Sequence, residues 1–249
     1  MQIPELIAGL QREGDLLAAA AARTDLNTPI PTCPAWSMRD LVRHIGGVHR
    51  WAAPHVAEQL LQPVDGIPAV VPIQPEDDVL IDWFVEGHAA LVHALTTADP
   101  DLDCWTFLPA PSPLAFWARR QAHETGIHRV DAESPGGSYT PFPPAFAADG
   151  IDELLYCFVS RPGGRLRSDQ ERTLHVRATD VDRDWLVRIG PERVHLGDGT
   201  AEGDCTIRGS ASDLHLLLWN RGGVEKLEVR GDERLLDLWR DSVHIRWKN

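Results

Sequence analysis

Lysine is nearly missing from this chain. It occurs only as Lys226 and Lys248, so 22 of the 24 basic residues are arginine. Against 37 acidic residues they leave a formal charge of −13. Such a surface repels phosphate backbones, which argues against nucleic acid as a partner. Cysteine is also scarce. Cys33, Cys104, Cys157 and Cys205 are far apart and form no C-x-x-C pair. That disfavours a finger-type zinc site, and it suits a reducing compartment where thiols act as small buried hydrophobes. No apolar run reaches the roughly 18 residues of a membrane span. The opening MQIPELIAGLQREGD has neither the basic start nor the apolar stretch of a secretory signal. A soluble, cytoplasmic protein with small-molecule partners is the expectation. There is no internal repeat and no low-complexity segment.

What is present is enough apolar material for one large domain or two small ones: 249 residues, 43% hydrophobic. The first half has a helical period. Leu6, Leu10 and Leu17 share one face of a helix expected from about Pro4 to Ala22. The proline-rich loop TPIPTCPAWS follows. Ser37 with Asp40 three residues on forms a capping box. It opens a second helix with Leu41, Ile45, Val48 and Ala52 on one stripe, which Pro54 should bend or interrupt. A linker from Gln62 to Pro75 leads to a third helix, Glu76 to Thr97. Ser112-Pro113 marks the start of a fourth, which runs to Glu133. Four long helices predict a bundle.

In the second half the period shortens to two. Thr173–Thr179, Trp185–Ile189, Cys205–Arg208 and Leu227–Asp232 read as strands. Between the last two lies an apolar helix, Leu214 to Trp219, with Gly222 as its expected C-cap. A helix over Glu233–Arg240 and a final strand over 243–247 complete the pattern. The fold class is α+β: a four-helix bundle over 1–150, then a smaller α+β domain over 151–249.

The fourth helix carries the chemistry. Glu124 and His128 are four apart and share a face, so a carboxylate and an imidazole can both reach one divalent ion. His123 points about 100° away. The run is H-E-x-x-x-H, five apart between histidines, so the H-E-x-x-H metalloprotease reading is poor. Such pairs are also common on solvated helix faces. A third ligand would come from the second helix, which offers His44, His49 and His55. His44 and His49 flank its apolar stripe on opposite sides, and periodicity does not choose between them. Asp131, three after His128, could orient its ring or simply pair with an arginine.

The stretch from Pro31 to Trp51, P-T-C-P-A-W-S-M-R-D-L-V-R-H-I-G-G-V-H-R-W, resembles the N-terminal signature of the mycothiol-dependent maleylpyruvate isomerase family, with Ala35 where glycine is usual. The later H-E-x-x-x-H-R-x-D-A run resembles the same family. So does G-x-A-x-D-L…L-L-L-W-N-R, which begins at Gly209. The resemblance implies a DinB-like metal-binding bundle followed by a sterol-carrier-protein-like domain. It implies His44, Glu124 and His128 as metal ligands, and a functional arginine in the second domain best matched by Arg221. A helix-end arginine that merely suits the helix dipole is the competing reading of Arg221.

Two histidines and one carboxylate leave a coordination position open, as in catalytic zinc sites, although other divalent metals accept the same donors. The implied chemistry uses mycothiol as the thiol and a divalent metal, zinc by the character of its donors, to hold the thiolate. The thiolate adds to the cis double bond of a maleylpyruvate-like diacid, the bond rotates, and elimination gives the trans product; a related thiol transfer is the variant. Arg221 would clamp a carboxylate, in a cleft between the domains. The alternative is a non-catalytic, metal-stabilised bundle with a second domain that binds lipid or another small molecule. A fourth protein ligand such as His49 or His55 would favour that alternative.

Overall fold

The computed structural model describes residues 1–71, 74–197 and 203–245. It divides into two compact units, Met1–Thr140 and Pro141–Asn249.

The first unit is helical: α1 (Ile3–Ala22), α2 (Met38–Ala57), the short α3 (Ile67–Val70), α4 (Leu80–Thr97) and α5 (Pro113–Glu133). Its starts follow local chemistry. Ser37 Oγ accepts from the Asp40 amide, and Asp40 Oδ2 accepts from the Ser37 amide at 2.9 Å. Ser112 Oγ accepts from the Ala115 amide at 3.1 Å, with Pro113 in the first turn. Pro54 does not interrupt α2. It sits in the last turn, where little helix remains beyond it to lose. Helix α4 begins four residues later than expected, after a turn at 77–79. Helix α3 lies inside the stretch expected to be a plain linker.

Leu17, Ile30, Met38, Leu41, Ile45, Leu80 and Phe84 form the bundle's apolar core. Gly46 lets α4 come close: a methyl group there would overlap the Trp83 ring. Helix α5 is the inner helix, with 17 of its 21 residues buried, so its polar side chains must find partners inside the protein. One set ties it to α1. Arg129 Nε donates to Glu13 Oε2 at 2.7 Å, and its Nη1 donates to Glu133 and to the Thr140 carbonyl.

The second unit opens with α6 (Pro144–Asp152), which runs into a π-helical segment, Glu153–Val159. A five-stranded mixed sheet follows: β1 (Arg172–Ala178), β2 (Asp184–Ile189), β3 (Val194–Gly197), β4 (Cys205–Gly209) and β5 (Glu228–Gly231), in the order β3-β2-β1-β4-β5. Only β1 and β4 are parallel. The register lines up one apolar face: Leu174 pairs with Val187 and Cys205, and Val176 with Trp185 and Ile207. All six are buried.

Helix α7 (Ala211–Leu218) follows β4, and α8 (Arg234–Ser242) follows β5. The left-handed residue after α7 is Asn220 (φ +57°), not the expected Gly222. Asparagine tolerates this conformation, and here its Nδ2 also reaches the Val243 carbonyl at 2.8 Å. The expected final strand is not formed over 243–245, and 246–247 lie outside the described residues. Among the described residues, no helix is long and apolar enough to cross a membrane.

Candidate metal centre

His44 lies seven residues into α2, and Glu124 and His128 lie one turn apart on α5. The packing of these helices brings one donor atom from each residue within 4.8 Å of the others. Glu124 Oε1 is 3.4 Å from His128 Nε2 and 3.9 Å from His44 Nε2. Donors bound to one tetrahedral ion at about 2.0–2.2 Å would sit roughly 3.3–3.6 Å apart. The spacing and the donor set therefore fit a divalent ion after small side-chain shifts.

The groups behind the donors are fixed as well. His128 Nδ1 lies 2.9 Å from Asp131 Oδ2, which leaves Nε2 facing Glu124. Asp131 is fully buried and takes a 2.6 Å hydrogen bond from Thr32 Oγ1; the Cys33 thiol lies 3.5 Å from its other oxygen. Both residues belong to the proline-rich loop before α2. That loop folds back on itself through hydrogen bonds from the Ile30 amide to the Trp36 carbonyl and from the Met38 amide to the Thr28 carbonyl. It also sets the Trp36 ring 4.8 Å from the His44 ring and 5.8 Å from the His128 ring. On the Glu124 side, Arg120 Nη2 donates to Oε2 at 2.7 Å.

The electrostatics follow from this arrangement. Burial works to raise the Glu124 carboxyl, but Arg120 and the two imidazoles outweigh it and hold the group well below the usual carboxylate range. Burial disfavours a charged His128, yet its contacts with Asp131 and Glu124 prevail and push it up to about 9. Burial lowers His44. Glu124 thus stays ionised where two imidazoles converge, and a bound cation would take the place of the proton that Asp131 and Glu124 hold on His128.

The other histidines lie elsewhere. His49 is buried on the opposite flank of α2, with Nε2 2.8 Å from Thr125 Oγ1 and its ring beside Phe84 and His88. His55 stacks on Trp117 at 4.8 Å. Neither joins the cluster, so among the described residues the group has three protein donors. Arg221 lies in the second unit, just beyond α7, where its Nη1 donates to the Trp219 carbonyl at 3.0 Å. Arg120, Thr32 and Cys33 were missed in the sequence. The i,i+4 spacing of Arg120 and Glu124 was a readable signal. Thr32 and Cys33 reach Asp131 across about a hundred residues and gave none.

Comparison with known proteins agrees with this architecture. The solved structures of a mycothiol-dependent maleylpyruvate isomerase and of its histidine-to-alanine mutant match at TM-scores of 0.59 and 0.61. Each has 14% identity and covers 92% of this chain and 93% of its own. No curated protein matches the sequence. The family model for the mycothiol maleylpyruvate isomerase N-terminal domain matches residues 8–133, and the companion C-terminal domain model matches residues 145–238. The first alone spans half the chain and the second most of the remainder, so the chain belongs to the mycothiol maleylpyruvate isomerase family.

Proposed function

We propose that His44, Glu124 and His128 bind one divalent metal ion, zinc by preference of the donor set, in a cytoplasmic enzyme that uses mycothiol to isomerise a maleylpyruvate-like diacid or to carry out a related thiol transfer. The observation that carries this reading is the convergence of three buried or half-buried donors within 4.8 Å with no fourth protein donor among the described residues. Three donors leave room for an exogenous ligand, which supports catalysis over a purely structural metal.

When bound, the ion would supply a positive charge that favours the thiolate form of a coordinated thiol. The protein's own residues do the rest. Asp131 holds the His128 ring with Nε2 toward Glu124. The Trp36 ring packs beside both imidazoles and restricts how they can turn. Arg221 serves as the clamp for a substrate carboxylate, through the two-pronged geometry of guanidinium.

Elemental analysis of the purified protein, joined to an assay of maleylpyruvate isomerisation with and without mycothiol, tests the proposal. One metal per chain, lost in His44→Ala together with thiol-dependent activity, is the expected result. Full activity in His44→Ala would overturn the metal mechanism. Arg221→Lys should raise KM for the diacid and leave the metal content unchanged; an unaltered KM removes the clamp.

A further inference from the structure

We propose that Arg120 keeps the metal site open by confining Glu124 to ligation through a single oxygen, which makes Arg120 a positioning residue for the exogenous thiol. The inference rests on the reading of His44, Glu124 and His128 as ligands and goes beyond it.

The two oxygens of Glu124 have different partners. Oε1 is the atom near His128 and His44, at 3.4 and 3.9 Å. Oε2 takes the 2.7 Å hydrogen bond from Arg120 Nη2. A carboxylate can bind a divalent ion with one oxygen or with both. Binding with both fills a further coordination position, the one an added sulfur would need. Here the second oxygen is already committed to a guanidinium. The two side chains stand one turn apart on the same buried helix, the spacing at which such a pair meets. Charge-assisted hydrogen bonds are strong, and their pull grows where water is excluded. Chelation by both oxygens would cost Glu124 this buried, charge-assisted hydrogen bond. Arg120 has only 2% side-chain exposure, so it offers no surface to substrate and reaches the site through Glu124.

Cobalt(II), whose visible absorption weakens as its coordination number rises, is the probe. The full chain would be loaded with Co²⁺ as wild type, Arg120→Met, Arg120→Gln and Arg120→Lys, then titrated with 2-mercaptoethanol. The wild type should give an intense visible band and a sulfur-to-cobalt band on adding thiol. Arg120→Met should still bind Co²⁺, with a visible band several-fold weaker and roughly tenfold more thiol needed for the sulfur band, the scale of one charge-assisted hydrogen bond. Arg120→Gln tests the same loss if the methionine variant does not fold. Arg120→Lys restores an ammonium to Oε2 and should recover most of the wild-type spectrum. If the methionine and glutamine variants match the wild-type spectrum and thiol titration and only melt earlier, Arg120 is structural and the inference falls. If wild-type protein takes up no Co²⁺, or Glu124→Ala takes it up equally well, the ligand assignment itself is wrong.

Discussion

The inner helix of the bundle and the inner face of the sheet are both buried, and they are built from opposite materials. The face shared by β1, β2 and β4 is Leu174, Val176, Trp185, Val187, Cys205 and Ile207, with no ionisable group besides a thiol. Helix α5 buries Arg120, His123, Glu124, His128, Arg129 and Asp131 within twelve residues. Burying charge is costly unless each group is paired, whereas an apolar face is stabilised by burial alone. The sheet therefore needs no explanation beyond folding. The charges of α5 fall into two sets with different reasons for being there. Arg129 joins α5 to Glu13 of α1 and to Glu133. Arg120, Glu124, His128 and Asp131 surround the candidate metal centre.

Breaking the first set should have the largest effect on stability. Arg129→Met takes from Glu13 its interior partner and leaves it the part-exposed Arg12, so a loss toward the lower end of about 3–5 kcal/mol in urea denaturation is expected. The double variant Glu13→Leu/Arg129→Met removes both charges and should lose clearly less. Equal losses would mean that the packing of these side chains, not their charge, holds α1 to α5. In the sheet, Ile207→Ala should cost roughly 2–5 kcal/mol by leaving a cavity, with metal content unchanged in the protein that remains folded. A drop in metal content there would erase the distinction between an apolar region that only folds and a polar region that binds. Asp131→Ala tests the second set. Losing the partner of His128 Nδ1 should weaken metal affinity about 10–100-fold by competition titration, equivalent to about 1.4–2.7 kcal/mol.

The same contrast explains what the sequence made legible. Strands β1, β2 and β4 announce themselves because a half-buried sheet alternates, and α5 because Ser112 and Pro113 mark its first turn. The α+β class and the long bundle helices follow from such local signals. Helix α6 and the π-helical segment do not, because paired prolines commonly interrupt a helix, whereas Pro143 and Pro144 stand where one opens. Strand β3 is four residues at the sheet edge, too short to show a period. At the site, spacing pairs Glu124 with His128 on one face. The choice between His44 and His49 depends on what each meets on α5: His44 faces Glu124, whereas His49 faces Thr125 beside Phe84 and His88, a tertiary fact with no local trace.

The smallest expected effect probes whether local signals also hold the site in place. The Ser37 cap is readable from four residues, yet the helix it starts carries His44 two turns on. Ser37→Ala should cost about 1 kcal/mol, the usual worth of a lost N-cap. Fraying that stops within the first turn would leave His44 where it is, because Met38, Leu41, Val42 and Ile45 are buried around it. Thermal denaturation should then record the loss while metal affinity stays at the wild-type value. Ser37 also ends the loop that carries Thr32, Cys33 and Trp36, paired to Pro29 by a β-bridge. A fall in metal affinity out of proportion to the stability loss would therefore show that the loop, rather than the helix, transmits order to the site.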